Sequence, residues 1–189
     1  MQTDNQFAEE NMTATISISE DDLTTALRGF LLSLVDVSDC VLGQENNVPM
    51  PEIGTDYIVM TPIDSVATST NKWVHDGENG QKKTNRNSQW RCQIDFYGPN
   101  AQNNAVIIST MIRDEYAAGW FSSNGSALSP LYSNDPHQTT MINGEQQYEP
   151  RWTMDFIGQT NPVITTPQQY MTSANPNAVP VNVQFPPQG

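Results

Sequence analysis

The sequence predicts an α+β fold: an antiparallel sheet of about four strands, two helices packed on one side, and extended arms at both ends. Three observations carry this. Residues 89–98 alternate, with Trp90, Cys92, Ile94 and Phe96 on one side and Arg91, Gln93, Asp95 and Tyr97 on the other. A period of two is the pattern of a half-buried strand. Residues 152–158 echo that stretch, and both contain Asp-Phe-x-Gly, beginning at Asp95 and at Asp155. Between them Ala101, Ala105, Ile108, Ile112 and Tyr116 recur at helical spacing, with Val106 and Met111 flanking that face. Two strands of one sheet with a helix between them follow.

Composition bounds the rest. A chain of 189 residues holds one domain with a real core. It carries 21 acidic against 8 basic side chains, a formal net charge of −13. Such a field repels phosphate backbones and anionic membranes, so a surface that grips nucleic acid is disfavoured. A negative wall that DNA slides past is compatible with it. No run of about 18 apolar residues exists to span a membrane. The longest apolar cluster, residues 30–37, is interrupted by Ser33 and Asp36. The first residues lack the basic start and apolar run of a signal peptide. Cys40 and Cys92 are the only cysteines, so a reducing cytosol is the simpler expectation.

In chain order, residues 1–18 are polar and acidic and form an N-terminal arm, in which Ile16 and Ile18 alternate with serines as a short added strand would. Ser19 opens a helix. Asp22, three residues on, completes a capping box, and three acidic groups in the first turn suit the helix dipole. Leu23, Leu27, Phe30, Leu31 and Leu34 form one apolar face, and the helix should end near residues 37–39. Gly29 weakens it by about 1 kcal/mol unless something packs closely there. Residues 41–55 read as a loop stiffened by Pro49 and Pro51. Residues 57–68 start as an apolar β run, which Pro62 assigns to an edge or a bulge. Residues 72–89 are polar, with Gly77 and Gly80 as turn residues, and are expected as the mobile tip of a long hairpin spanning residues 57–96. Pro99 then sits at the first turn of a helix running to about Gly119. Residues 120–150 are irregular, with short strands at 128–132 and 138–142, and 151–157 is the last strong strand. Residues 159–189 hold six of the thirteen prolines and few charges, and read as an extended tail. Residues 19–158 are thus the domain, between two arms.

The search for chemistry finds no constellation. His75 and His137 are isolated, and no His-x-x-x-His, Cys-x-x-Cys or His-Glu-x-x-His pattern exists, so no metal site and no cofactor is expected. There is no Gly-x-Ser-x-Gly elbow and no phosphate-cradling loop. The adjacent acids Asp21/Asp22 and Asp114/Glu115 point apart on a helix. Asp95 with Asp155 is the best remaining acid pair, if their strands are neighbours. Salt bridges to Arg91 or Arg151 are the stronger reading of both. No catalytic residue is assigned.

Several motifs together carry a resemblance. The stretch Gln93-Ile-Asp-Phe-Tyr-Gly-Pro-Asn-Ala101 before an amphipathic helix resembles the signature of the phage neck/tail terminator family. The preceding stretches Asn47-Val-Pro-Met-Pro51 and Asp56-Tyr-Ile-Val-Met-Thr-Pro-Ile63 resemble that family too. The resemblance covers residues 23–157 and leaves both arms outside. It implies a structural virion protein of a tailed phage, without catalytic residues or cofactor: a small α+β domain assembling as a homohexameric ring at the neck. Such a ring caps the tail tube, stops its polymerisation and faces the head-side connector, and in contractile phages it also meets the sheath. DNA is only passing cargo, and no membrane is involved. Within that reading the expected interface positions are Lys72, Lys82, Lys83 and Arg86 in the basic tip, which holds four of the eight basic residues. Pro49 and Pro51 in the stiff loop, and Gln159, Tyr170 and Phe185 in the tail, complete the set. The alternatives are a tail-tube or head-completion protein, a monomeric binding module, and a small cytosolic enzyme using Asp95 and Asp155.

Overall fold

Every strand of the molecule's centre is set by the apolar alternation around Ile94. The structure is a computed structural model describing residues 13–44, 51–52, 54–142 and 148–168. Its first elements are β1 (Thr15–Ile16), α1 (Glu20–Leu34), β2 (Cys40–Leu42), β3 (Tyr57–Ala67), β4 (Lys72–Asp76), β5 (Gln81–Asn85) and β6 (Ser88–Tyr97). Then come α2 (Ala101–Ile112), α3 (Glu115–Ser123), β7 (Leu128–Ser133), β8 (His137–Ile142), β9 (Tyr148–Thr160) and β10 (Val163–Pro167).

The α+β class holds. An antiparallel four-stranded sheet is present, in the order β1-β10-β5-β4. The predicted strands at 57–68, 89–98, 128–132, 138–142 and 151–157 stand in a six-stranded sheet, β2-β3-β6-β9-β7 with β8 also on β9, whose β2–β3 pair is parallel; β4, β5, β10 and a third helix are additional to the sequence reading. The two Asp-Phe-x-Gly strands are direct neighbours, with Ile94 opposite Met154 and Cys92 opposite Phe156. Trp90, Cys92, Ile94, Phe96, Met154 and Phe156 are all buried beneath the helices. Each large side chain so buried contributes about 1.5–3 kcal/mol.

The helices follow from their ends. In α1 the Ser19 hydroxyl accepts from the Asp22 amide, and the Asp22 carboxylate accepts from the Ser19 amide at 2.7 Å, the expected capping box. Gly29 is explained by Trp120: a Cβ there would lie 3.2 Å from its ring. Trp120 in turn meets Phe30 edge-on, at 5.5 Å between centroids. The helix expected to continue to Gly119 instead breaks at Arg113. Asp114 caps a fresh helix by accepting from the Tyr116 amide at 2.9 Å, and Arg113 turns aside to donate to the Ser133 carbonyl at 2.6 Å. The restart shifts the helical phase, so Tyr116 is exposed and Ala117 and Phe121 are buried instead.

Pro62 sits where its constraints allow. The register of β3 against β6 shifts between Pro62 and Asp64, a bulge, and β2 pairs β3 only at Ile58 to Met60. The region read as a mobile tip is corrected: residues 72–76 and 81–85 are paired strands in the four-stranded sheet. Their polar composition hides the pattern, because both faces of this hairpin are partly solvated. Similarly, residues 159–168, read as tail, complete β9 and form β10, and Thr15–Ile16 of the N-terminal arm pairs with β10.

The two sheets share an order. β4 follows β3, β5 precedes β6 and β10 follows β9, so the series β4-β5-β10 repeats the series β3-β6-β9 one storey on. The break between storeys falls at residues 68–71, 86–87 and 161–162. Backbone bonds bridge it from Thr68 to Asn87 and from Arg86 to Pro162, each at 3.0 Å.

Candidate interaction surfaces

The four-stranded sheet, here the upper storey, carries Lys72, Lys82 and Lys83 of the expected interface residues, with Arg86 at its border. In an antiparallel sheet directly paired residues share a face. Trp73, Thr84, Ile164 and Ile16 therefore form one row, and His75, Lys82 and Thr166 the next on that face. The opposite face carries Val74, Lys83, Thr165 and Thr15, flanked by Lys72 and Asp76. Trp73 and Val74 are more than half exposed, at 57% and 53%.

The structure separates the four basic residues expected to act together. Lys83 pairs with Asp76 within its own hairpin, at 3.2 Å. Asp76 also accepts from the side chain and backbone of Asn79, and these bonds with the Lys83 contact hold its carboxyl below the usual range. Lys82 lies over the Trp73 ring, 5.6 Å from its centroid. Arg86 donates to the Ser65 carbonyl at 2.8 Å and so pins the break between storeys. Lys72 is exposed and makes no ion pair among the described residues. Gln159 is an internal β9 residue, opposite Gln89 and Ser129. Pro51 is half-buried ahead of β3. Pro49, Tyr170 and Phe185 lie outside the described residues. Sequence reasoning places Ile16 in a short added strand, as found, but does not single out Trp73 or Ile164, because the strands that align them are written in polar residues.

Beside the break runs a cleft of about 360 Å³, lined by Ile16, Ile18, Leu23, Ile63, Trp90 and Ile164 among others. Arg86 and Thr160 line it too, and Arg86 Nε and Thr160 Oγ1 are buried without a hydrogen-bond partner among the described residues.

The face of the large sheet turned away from the helices is a polar ladder. Asp95 and Asp155 do share it, since Asp95 pairs with Thr153 and Asp155 with Gln93. Asp95 is buried and fully engaged. Arg151 donates to it twice, at 3.2 and 2.9 Å, Thr153 Oγ1 at 2.6 Å and Gln93 Nε2 at 2.9 Å. Burial opposes the Arg151 charge, but the Asp95 carboxylate more than offsets this and raises its pKa. Asp155 lies 4.0 Å from Arg91, which also pairs with Asp64. These carboxylates brace a sheet face: each has an arginine, and Asp95 has no oxygen left for a reacting group. Burial pushes the Cys40 thiol up to about 12 and raises Cys92 as well, so neither offers a thiolate near neutral pH. Among the described residues no three His, Cys, Asp or Glu side chains come together to hold a metal ion.

Comparison with known families decides the class. The model of the phage neck terminator protein family matches residues 21–185. The chain belongs to the phage neck terminator family. Among curated proteins none matches the sequence. The family match extends beyond Ile157 to Phe185, so most of the Pro-rich segment lies within the family's extent instead of outside it. As a neck terminator family member the protein is a structural component of the phage neck and hence of the virion. No helix of the described residues is long and apolar enough to cross a membrane.

Proposed function

We propose that this neck terminator protein forms a homohexameric ring that caps the end of the tail tube, stops tube growth and presents a different far face to the head-tail connector. The observation that carries the reading is the family match over residues 21–185. A growing tube offers its open end to each new subunit. A cap that binds this end but displays another surface ends the repetition. Ring closure requires a heterologous interface, in which one patch meets a different patch on the next copy. The upper storey supplies such a patch: Trp73, Val74 and Lys72 are exposed on a hairpin carrying the set Lys72, Lys82, Lys83 and Arg86. With Lys83 and Arg86 engaged inside their own chain, Lys72 and Lys82 carry the contact to an acidic neighbour. The net charge of −13 suits a lumen that passes DNA without holding it. A contractile phage would add the last sheath ring as a partner.

The test is the assembly mass of the purified protein, alone and with tail tubes, with negative-stain images. Discrete rings of about six copies, or a cap at one end of each tube, are expected. Long rods from the protein alone would make it a tube protein. A monomer that ignores tubes would overturn the capping reading.

A further inference from the structure

Among the described residues strand β4 has a partner on one side only. Among the described residues it pairs with β5, and its outer edge stands open at the end of the four-stranded sheet. Open edges with exposed apolar side chains recruit further strands unless something covers them. Here the edge carries Trp73 and Val74, both more than half exposed.

The same chain holds a matching segment. Residues 179–185 read Val-Pro-Val-Asn-Val-Gln-Phe, so Val179, Val181, Val183 and Phe185 alternate with Pro180, Asn182 and Gln184. That is a period of two over seven residues. Residues 169–189 contain no Lys, Arg, Asp or Glu in a chain whose net charge is −13. Such a segment approaches another copy without the repulsion that the rest of the molecule would meet. We infer that residues 179–185 of one copy add as a strand to the β4 edge of the next copy, so that neighbouring subunits exchange their C-terminal segments. This rests on the ring reading above and specifies the contact that closes it.

The geometry of the strand supports the pairing. In a strand the lateral direction of N–H and C=O alternates in step with the side chains. If the four apolar residues direct their backbone groups at β4, Pro180 belongs to the other set. Its missing N–H then falls on the outer side, the position that proline tolerates in an edge strand. The apolar residues lie on the face of Trp73 and Ile164, while Asn182 and Gln184 fall beside Lys72 and Asp76. Main-chain bonds would supply affinity and the Trp73 row the register.

The exit point and the link permit a crossing to the next copy. β10 ends with the Gln168 amide donating to the Gly80 carbonyl at 2.7 Å, so the chain leaves beside the β4–β5 turn. A strand added to its own β4 edge would lie three strand spacings away, roughly 14 Å. The ten residues 169–178 span roughly 33–36 Å when extended, more than twice what the cis path needs. A link of that length suits a crossing between subunits.

The experiment mixes equal amounts of ¹⁵N-labelled and unlabelled full-length chains, with Phe185 replaced by the photo-cross-linker benzoylphenylalanine. Cross-linked peptides are read by mass spectrometry and oligomer mass is measured on the same sample. The expected result is cross-links to peptides containing residues 72–76 that join labelled to unlabelled chains. A companion chain ending at Gln168 keeps every described element, and its self-association should weaken at least about tenfold with unchanged circular dichroism. Cross-links confined to one label would mean the segment covers its own edge and would overturn the inference. Cross-links elsewhere, or none, would overturn it too. Rings without these cross-links sink the strand exchange and leave the ring reading standing. Inter-copy cross-links in a species that is not a ring do the reverse.

Discussion

At the scale of single residues, the most informative side chain is Asp95, because two opposite roles were open to it. An acid that works on a substrate needs an accessible oxygen. Asp95 is 3% exposed and accepts from Arg151, Thr153 and Gln93. Its work is to neutralise Arg151 over the Tyr97 ring, 5.8 Å from the guanidinium carbon. Asp95→Asn keeps the shape and removes the charge. An exposed pair contributes at most about 1 kcal/mol, whereas breaking a buried one costs about 3–5. Arg151 retains partial solvent access, so a cost of about 2–3 kcal/mol is expected, read as a lower urea midpoint with an unchanged slope. A midpoint that does not move would mean the network is not structural. A second residue reports on the same face. Tyr57 stacks on Tyr97 at 4.6 Å, and burial, aided by the nearby Glu149 charge, pushes its phenol from 10 up to about 12. Between those values the unfolded chain releases the proton while the folded chain keeps it. The Tyr57 contribution to stability is therefore intact below pH 10 and declines as pH rises through about 12. Tyrosinate absorbance should show a late-ionising phenol that disappears in Tyr57→Phe.

At the scale of elements, the turn between β6 and α2 tests how tightly the sheet and helix are joined. Gly98 has φ +97°, and a Cβ there would stand 2.5 Å from the Thr55 carbonyl and 2.6 Å from Asp56 Oδ1. Asp56 caps the same turn from a distance, accepting from the Asn100 amide and side chain at 2.8 Å each. Loss of that cap in Asp56→Ala should cost about 1 kcal/mol, or about 2–4 °C of melting temperature. Gly98→Ala adds backbone strain to a collision with main-chain atoms and should cost at least about twice as much. Equal melting points for both variants would show that the loop gives way. This turn was legible in the sequence as Gly98-Pro99-Asn100, and so were the α1 capping box, the Pro62 bulge and the pairing of the two Asp-Phe-x-Gly strands. Each is a local signal: a cap, a proline or an uninterrupted apolar alternation. What stayed hidden depends on distant partners. The helix break at Arg113 is drawn by the Ser133 carbonyl, twenty residues on. The upper storey consists of polar strands such as Gln-Lys-Lys-Thr-Asn, which become a sheet only because β10 arrives from the far end of the chain. The partners of Lys83 and Arg86 stayed hidden for the same reason, since Asp76 and Ser65 meet them only once the hairpin has formed.

At the scale of the whole molecule, charge decides how copies meet. Eight basic residues face 21 acidic ones, and four of the eight lie between Lys72 and Arg86. Two forces therefore oppose each other when a ring closes. Local contacts from Lys72 and Lys82 attract an acidic neighbour, while the net charge of each copy repels it. Salt weakens both, and range decides which is weakened more. The attraction acts over a contact of about 4 Å, inside the screening length at any ordinary salt. The repulsion is summed over whole subunits and falls steeply as the screening length drops from about 30 Å at 0.01 M to about 8 Å at 0.15 M. Raising salt across that range should therefore increase the ring fraction, read by sedimentation velocity at one protein concentration. Lys72→Gln with Lys82→Gln adds two units of net negative charge and removes the attraction, so its deficit should be largest at low salt. A wild-type ring that dissociates as salt rises would mean that short-range basic–acidic contacts dominate the interface. The uncharged C-terminal segment would then be the lesser part of it.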